Sequence, residues 1–266
     1  MHIPLYQVDA FTDRPFAGNP AAVCLLDAWP EDALLQSIAT ENNLSETAFL
    51  VKDGARYQLR WMTPITEVEL CGHATLAAAF VIFNHLDPAL GEVAFDTLSG
   101  ELRVRRGDGA LHMDFPSLPP VPCVCPPALL AALGKPPQEV LQSPPYYLAR
   151  YDCADDIRAL QPDMEKLKAL DLMATIVTAP GDAEDFVSRV FGPKVGIPED
   201  PVTGSAHSVL IPYWAARLGK LHLHARQLST RGGELFCELR GDRVGIAGQA
   251  VLFMQGEIRL DRDGRV

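Results

Sequence analysis

Three short segments hold the side chains that could do chemistry. Glu46 stands at the start of an apolar run in ENNLSETAFLV, CGH covers positions 71–73, and EDPVTGSAH covers positions 199–207. A carboxylate shielded by Ala, Leu and Phe has a raised pKa, which suits it to removing a carbon-bound proton. Amide donors and a histidine would stabilise the charge that develops on the substrate. The three segments therefore indicate proton transfer at carbon.

Each segment also has a structural interpretation. A glutamate at a strand start is commonly solvated, and a histidine in the first turn of an apolar helix can be a hydrogen-bonded core residue. Asp200 before a proline is typical of a turn, and Thr203 or Ser205 is typical of a helix N-cap. Their joint placement favours chemistry, because two of the segments recur at the same point of an internal repeat.

The repeat is visible in two helical segments. ELCGHATLAAAFVIF and PVTGSAHSVLIPYWAARLG are largely apolar on all sides, as helices surrounded by protein usually are. Both begin at a glycine motif, and Gly72 and Gly204 lie 132 residues apart (204 − 72), about half of the 266-residue chain. That spacing predicts two pseudo-repeated domains, each with one buried helix.

Short strand-like runs bounded by turn residues surround both helices. We predict an α+β fold in which each domain is a mixed sheet curled around its central helix. A proline-rich stretch around 117–127 separates the two series of strands. It places the domains at residues 1–118 and 119–266, with the last strand able to return to the first domain. We expect the active site in the cleft between them.

The starts of both helices suit a small anionic metabolite. The first turn of a helix has amide groups without intrahelical partners and carries a partial positive charge, so two helix starts could hold a carboxylate without a basic surface patch. The chain has 23 Lys and Arg residues against 34 Asp and Glu residues, a net charge of −11. Nucleic acid and anionic membrane surfaces are therefore not expected as partners.

Composition indicates a cytoplasmic protein with reduced thiols. The N-terminal MHIPLYQVDAFTD lacks a signal-peptide pattern, and no apolar run approaches the roughly 20 residues of a membrane-spanning helix. The six cysteines have no framework spacing, and CVC at 123–125 is a weak metal motif without a neighbouring histidine. Because dinucleotide- and phosphate-binding glycine loops are also lacking, we expect neither a metal nor an organic cofactor.

Four segments resemble the signature segments of the PhzF family, the phenazine-biosynthesis-like isomerases: VDAFTDRPFAGNPAAV, NLSETAFL, LRWMTPITEVELCGHATLAAA and EDPVTGSAH. They occur in the family's order and span most of the chain. The resemblance implies the diaminopimelate epimerase fold, with two similar domains that each wrap a barrel-like sheet around a central helix. It also implies a homodimer and a cofactor-independent isomerase, similar to enzymes that act on a dihydro-hydroxyanthranilate.

The resemblance implies roles for individual positions. Glu46 matches the family's acid/base glutamate, while His73 and Asp200 match residues that hold the substrate's polar groups or share its protons. Positions expected to bind substrate are Asn19, Gly72, Thr203, Gly204 and Ser205. STRGGEL at 229–235 departs from the family's usual Ser-Gln-Gly version, which leaves the substrate open.

Two other functions stay open. Diaminopimelate epimerases use two cysteines, one at each helix start, as paired acid/base thiols. Cys71 stands at the first position and is a candidate reactive thiol, although we prefer to interpret it as a small buried hydrophobe. The Gly72/Gly204 pairing puts Thr203 at the second position, which disfavours a two-base epimerase or racemase. The remaining alternative is a non-catalytic protein that binds a metabolite or a partner on the same fold.

Overall fold

The computed structural model describes residues 1–260. In its first unit, strand β2 (Asn19–Leu26) lies between two partner strands. It pairs antiparallel with β1 (His2–Ala10) and parallel with β3 (Glu46–Asp53), so β2 and β3 begin at the same end of the sheet. Helix α1 (Asp32–Asn42) forms the crossover between these parallel strands. Its buried residues, Leu35, Ile38 and Ala39, follow the helical period.

The rest of the first unit extends this sheet and covers it with one apolar helix. Helix α2 (Gly72–Val81) packs against β1, β2 and β3 and continues into a π-helical turn, Ile82–Leu86. The antiparallel partner of β3 is β4, which pairs antiparallel with β5 and parallel with β6; β7 and β8 complete the meander. These strands are β4 (Arg56–Met62), β5 (Glu67–Val68), β6 (Glu92–Thr97), β7 (Gly100–Gly107) and β8 (Ala110–Pro116).

The second unit is built on the same plan. Its strands are β9 (Val121–Pro122), β10 (Glu139–Ser143), β11 (Tyr146–Arg150), β12 (Ala174–Pro180), β13 (Phe186–Gly192), β14 (Ile197–Asp200), β15 (His222–Gln227), β16 (Gly233–Arg240) and β17 (Arg243–Gly248). Its helices are α3 (Pro127–Leu133), α4 (Ala154–Ala159), α5 (Met164–Lys168) and α6 (Gly204–Leu218), with a 3₁₀ turn at Pro193–Val195. Helix α6 packs against β15 and β16.

The internal repeat is explicit in the strand pairing. Strands β10 to β13 pair in the order antiparallel, parallel, antiparallel, as β1 to β4 do. Strand β13 then pairs antiparallel with the short β14 and parallel with β15, as β4 does with β5 and β6. Helices α2 and α6 occupy the same place in this order, and they begin at Gly72 and Gly204 as the glycine spacing predicted.

Both central helices are buried, which explains why their sequences have no polar face. Every residue of α2 except Phe80 is buried. Helix α6 is buried from Gly204 to Ala215 apart from the half-buried Ser205, and only its last turn is exposed. No helix within residues 1–260 has the combination of length and apolar sequence that a membrane span needs.

The chain returns to its first unit at the end. The first unit comprises Met1–Asp114 and continues from Ala247, while the second comprises Phe115–Ile246. The return is made by β18 (Ala250–Arg259), which pairs antiparallel with β1. The sequence placed the boundary at 118/119 and allowed for such a return. The proline-rich stretch around 117–127 is part of the second unit, because Val121 and Pro122 pair with β10.

A strained connection leads from β1 into β2 and places Asn19. Phe11 and Phe16 have φ values of 62° and 69°, a region that non-glycine residues seldom adopt. The buried carboxylate of Asp9 accepts a hydrogen bond from the backbone amide of Phe16 at 3.0 Å, which holds the connection closed. Gly18 has φ +65°, and a Cβ atom there would lie 2.1 Å from the carbonyl oxygen of Ala10. Only glycine fits at this position.

We predict that Gly18→Ala lowers the free energy of unfolding by at least about 2 kcal/mol more than Gly54→Ala does. Gly54 has φ +59° but open space around its Cα, so its substitution carries the cost of the left-handed backbone without a clash. Urea unfolding followed by circular dichroism measures both variants. Equal losses would show that the contact with Ala10 does not restrict this turn.

Candidate active site

The first unit gathers its polar side chains where β2, β3 and α2 begin. Asn19 is the first residue of β2, Glu46 the first of β3, and His73 the second of α2. The parallel register sets Glu46 beside Ala21, so both strands present their first residues at one edge. Glu46 Oε2 lies 3.2 Å from Nε2 of His73, and Asn19 Nδ2 lies 3.2 Å from Nδ1 of the same ring. Three positions that are distant in sequence therefore form one cluster.

The hydrogen bonds fix the tautomer of His73. An amide nitrogen can only donate, so Asn19 Nδ2 requires Nδ1 of His73 to accept. A neutral imidazole then carries its hydrogen on Nε2, the nitrogen that faces the Glu46 carboxylate. Asn19 thus determines that the hydrogen of the neutral ring sits on Nε2, the nitrogen 3.2 Å from Oε2 of Glu46.

Burial sets the charge state of this cluster. His73 is 4% exposed and Glu46 is 8% exposed. Removal from water lowers the pKa of His73 to about 3, because burial disfavours the imidazolium. His73 is therefore neutral at physiological pH, and its contact with Glu46 is a polar contact between a carboxylate and a neutral ring. Such a ring can orient the carboxylate without neutralising it.

Cys71 joins the cluster from the N-cap of α2. Its Sγ lies 3.4 Å from Nδ1 of His73, and the residue is buried. Glu46, Cys71 and His73 each offer one possible metal-ligand atom, and these atoms lie within 4.8 Å of one another. Within residues 1–260 they are the one group of His, Cys, Asp and Glu side chains that could hold a metal ion. The six cysteines, all within the described residues, form no disulfides in the structure.

In the second unit, a hydrogen bond between Thr203 and Asp200 fixes the turn that precedes α6. Thr203 is the N-cap of α6, but its hydroxyl donates to Oδ2 of Asp200 at 2.5 Å and does not cap the helix. Cys71, the N-cap of α2, likewise makes no side-chain cap hydrogen bond. Neither cap side chain therefore covers the first-turn amides of its helix, the groups that a bound anion would meet.

Gln227 fixes this turn from the end of β15. Its side chain is fully buried, accepts from the backbone amide of Thr203 at 2.9 Å and donates to the backbone carbonyl of Asp200 at 2.7 Å. Its amide nitrogen also lies 3.2 Å from Oγ1 of Thr203. One amide side chain thus satisfies both ends of the turn that precedes α6.

Two further contacts surround the start of α6. His207 Nδ1 donates to the backbone carbonyl of Thr203 at 2.8 Å, while burial lowers the pKa of His207 to about 4. The hydroxyl of Tyr146 lies 2.7 Å from Oγ of Ser205. Ser205 is half-buried and Tyr146 is buried. The second unit therefore surrounds its helix start with hydroxyl, amide and neutral imidazole groups.

The structure brings the predicted residues together within each unit. Asn19, Glu46, Cys71, Gly72 and His73 lie at the start of α2; Asp200, Thr203, Gly204 and Ser205 lie at the start of α6. Sequence reasoning missed Gln227 and Tyr146. Tyr146 has a signal in the repeat, because it begins β11 as Asn19 begins β2. Gln227 has none that we can identify, since its partners come from a turn 24 to 27 residues earlier.

Comparison with known proteins identifies relatives over almost the whole chain. The family model described as phenazine biosynthesis-like protein matches residues 8–256. An uncharacterised isomerase of Pseudomonas aeruginosa is 55% identical over 260 residues, which cover 98% of this chain and 100% of that protein. A crystal structure of a PhzF-family protein from Enterococcus faecalis has a TM-score of 0.95 and 48% identity, and covers 98% of this chain and 100% of its own.

A more distant structure shares only the fold. A probable proline racemase from Agrobacterium radiobacter has a TM-score of 0.66 at 12% identity, over 97% of this chain and 93% of that one. The family resemblance and the two-part, epimerase-like α+β fold that the sequence predicted are thereby confirmed.

We predict that Gln227→Leu lowers the free energy of unfolding by about 2 kcal/mol or more, because it removes a fully buried hydrogen-bonding side chain between Asp200 and Thr203. Gln138→Leu is the matched control, since Gln138 is exposed and its side chain donates to Asp152. We expect a change below about 0.5 kcal/mol there. Similar losses in the two variants by urea unfolding would contradict the role given to Gln227.

Acid sensitivity provides a second prediction. The pKa values of His73 and His207, about 3 and about 4, lie below the ordinary value of 6.5 because both rings are buried. Between pH 6.5 and about 4, these two histidines bind protons in the unfolded chain but not in the native state. The free energy of unfolding therefore falls as the pH drops from about 6.5 towards 4. His73→Gln should make the slope of unfolding free energy against pH shallower by up to about 1.4 kcal/mol per pH unit.

Urea unfolding at a series of pH values from about 6.5 down to 4.5 tests this slope. His222→Gln, at an exposed histidine, serves as the control and should keep the slope of the wild-type protein. A slope that is identical in wild type and His73→Gln would mean that His73 is protonated in the native state over this range.

Proposed function

Because the chain belongs to the phenazine biosynthesis-like (PhzF) family, we propose that it is an isomerase that moves a proton between two carbons of a small carboxylate-bearing metabolite. In this proposal only side chains and backbone groups of the protein act on the substrate. The buried contact of Glu46 with a neutral His73 is the observation that carries it. A dihydro-hydroxyanthranilate is a candidate substrate, and a homodimer stays a prediction.

Glu46 is the proposed proton carrier. Its carboxylate takes a proton from one carbon of the substrate and becomes a carboxylic acid, while the electron pair of the broken C–H bond delocalises into the adjoining π-system. The same acid then returns the proton to another carbon, which regenerates the carboxylate. Partial removal from water strengthens a carboxylate as a base towards carbon, and Glu46 is 8% exposed.

His73 orients Glu46 in this scheme. Its Nε2 lies 3.2 Å from Oε2 of Glu46, a contact that restricts how the carboxylate can turn. Because burial keeps the ring neutral, His73 does not form a full ion pair that would weaken Glu46 as a base. Asn19 supports the arrangement by holding the ring in the required tautomer.

The helix starts are the proposed binding groups for the substrate's anionic end. Gly72 lies at the start of α2, and Gly204 and Ser205 lie at the start of α6. Neither N-cap side chain covers the first-turn amides of its helix. Because a helix start favours an anion, it can bind a carboxylate without a basic surface patch, even though the protein has a net charge of −11. Thr203, engaged with Asp200, sets the shape of the second of these starts.

The two-base epimerase stays disfavoured. Cys71 and Thr203 are the N-caps of equivalent helices, so the second acid/base position carries a hydroxyl and not a thiol. A hydroxyl of ordinary acidity is too weak an acid to replace a thiol in such a pair. The position of Cys71 is then best explained by its contact with His73, and not by a role as an acid/base thiol.

Deuterium exchange tests the proposal. We predict that wild-type protein incubated in D2O with a panel of cyclohexadienyl and amino-acid carboxylates introduces deuterium at carbon, measured by NMR. Glu46→Gln should slow exchange by at least about 100-fold, since it removes the acid/base group while keeping the shape of the side chain. Glu41→Gln, at an exposed glutamate of the same segment, is the control and should exchange at the wild-type rate.

Other outcomes separate the alternatives. Exchange that survives Glu46→Gln and disappears in Cys71→Ala would favour thiol chemistry. A carboxylate that binds without any exchange would favour a metabolite-binding protein.

A further inference from the structure

Each unit has a hydrogen-bonded pair that joins the start of a strand to the second residue of its central helix. Asn19 begins β2 opposite Ala10 at the end of β1, and Tyr146 begins β11 opposite Ser143 at the end of β10. Asn19 reaches the second residue of α2, His73, and Tyr146 reaches the second residue of α6, Ser205. The contacts join residues 54 and 59 positions apart. Ser205 is the counterpart of His73, because Gly72 and Gly204 begin equivalent helices. The parallel registers set Ala21 opposite Glu46 and Tyr146 opposite Ala174, so Tyr146 lies two positions further along its strand than Asn19 does and on the same strand face.

The chemistry of the pair defines the role of the tyrosine. The two hydroxyl oxygens are 2.7 Å apart, which is a short and favourable O–H···O distance. A phenol is more acidic than an aliphatic hydroxyl, so Tyr146 is the better donor and Ser205 the better acceptor. When Ser205 accepts from Tyr146, its own hydrogen must point to another acceptor.

We propose that Tyr146 is a positioning residue that holds the Ser205 hydroxyl as a donor to the substrate carboxylate. The inference rests on the proposed function, in which Ser205 contacts that carboxylate. It matches the role of Asn19, which sets the proton position on His73 in the first unit. The first unit thus orients the group beside the acid/base residue, and the second orients a binding group.

The adjacent tyrosine shows what a purely structural role looks like. Tyr147 points to the opposite face of β11, donates to Oδ1 of Asp171 at 2.6 Å and packs in the core of the second unit. Tyr146 and Tyr147 are 5% and 4% exposed. The two residues share strand, burial and side-chain chemistry, so Tyr147→Phe is a matched control for Tyr146→Phe.

Binding of 2-aminobenzoate tests the proposal apart from turnover, because this planar carboxylate has no saturated carbon from which a proton could move. Its Kd is measured by NMR titration for wild type, Tyr146→Phe, Ser205→Ala, the double variant and Tyr147→Phe. We expect Kd to rise about 3- to 10-fold in Tyr146→Phe and in Ser205→Ala, the effect of one hydrogen bond. The double variant should equal Ser205→Ala, since Tyr146 acts through Ser205. Tyr147→Phe should keep the wild-type Kd.

Three results would overturn the inference: a Tyr146→Phe Kd equal to that of Tyr147→Phe, independent effects that multiply in the double variant, or no saturable binding of the probe by wild type. Thermal unfolding of each variant checks that it is folded, and Ser205→Ala carries the same test from a half-buried position. Failure of the proposed function is a separate result, because it shows as deuterium exchange unaffected by Glu46→Gln. The Kd pattern can hold or fail whichever way that experiment turns out.

Discussion

Burial of the start of helix α2 is the constraint on which the chemistry of the first unit depends. A helix enclosed by its own sheet brings its first turn, with the polar groups it carries, out of water. His73 must then be neutral, because burial lowers its pKa to about 3. A neutral ring has one donor and one acceptor, and the cluster supplies Asn19 to one nitrogen and Glu46 to the other. Charge state, tautomer and orientation all follow from where the helix begins.

The second unit repeats the architecture and changes the chemistry. Two pairs of equivalent positions carry an imidazole and a hydroxyl, and a thiol and a hydroxyl. These pairs are His73 with Ser205 and Cys71 with Thr203. Each exchange puts a hydroxyl group in the second unit where the first unit has an imidazole or a thiol. Under the proposed function, the first helix start would transfer the proton and the second would bind the substrate.

Sequence patterns predicted the parts of this arrangement that depend on local order. Helices α2 and α6 are recognisable from composition alone because they have no polar face, and Gly72 and Gly204 mark where they begin. Glu46 was recognisable as a carboxylate at a strand start, but its contact with His73 depends on the parallel register of β2 and β3. Register is set by packing over the whole sheet, and a single segment does not reveal it.

The elements that sequence reasoning missed are short or have distant partners. Helices α3, α4 and α5 have seven, six and five residues, too few for a helical period to stand out. Gln227 looks like any polar residue at the end of a strand until the turn at Asp200–Thr203 is placed beside it. The return of the last strand to the first unit was allowed for, but its antiparallel pairing with β1 was not predicted, because no local pattern specifies the partner strand.

A buried polar cluster such as that of the first unit is weak evidence for stability. Asp9 is also buried, and its carboxylate satisfies the backbone amide of Phe16. The contacts of His73 with Asn19 and Glu46 join side chains to one another. Apolar side chains of similar volume often replace such a buried network at little cost or with a gain in stability. A buried polar network next to a connection strained at Phe11 and Phe16 is what chemistry at this helix start would demand.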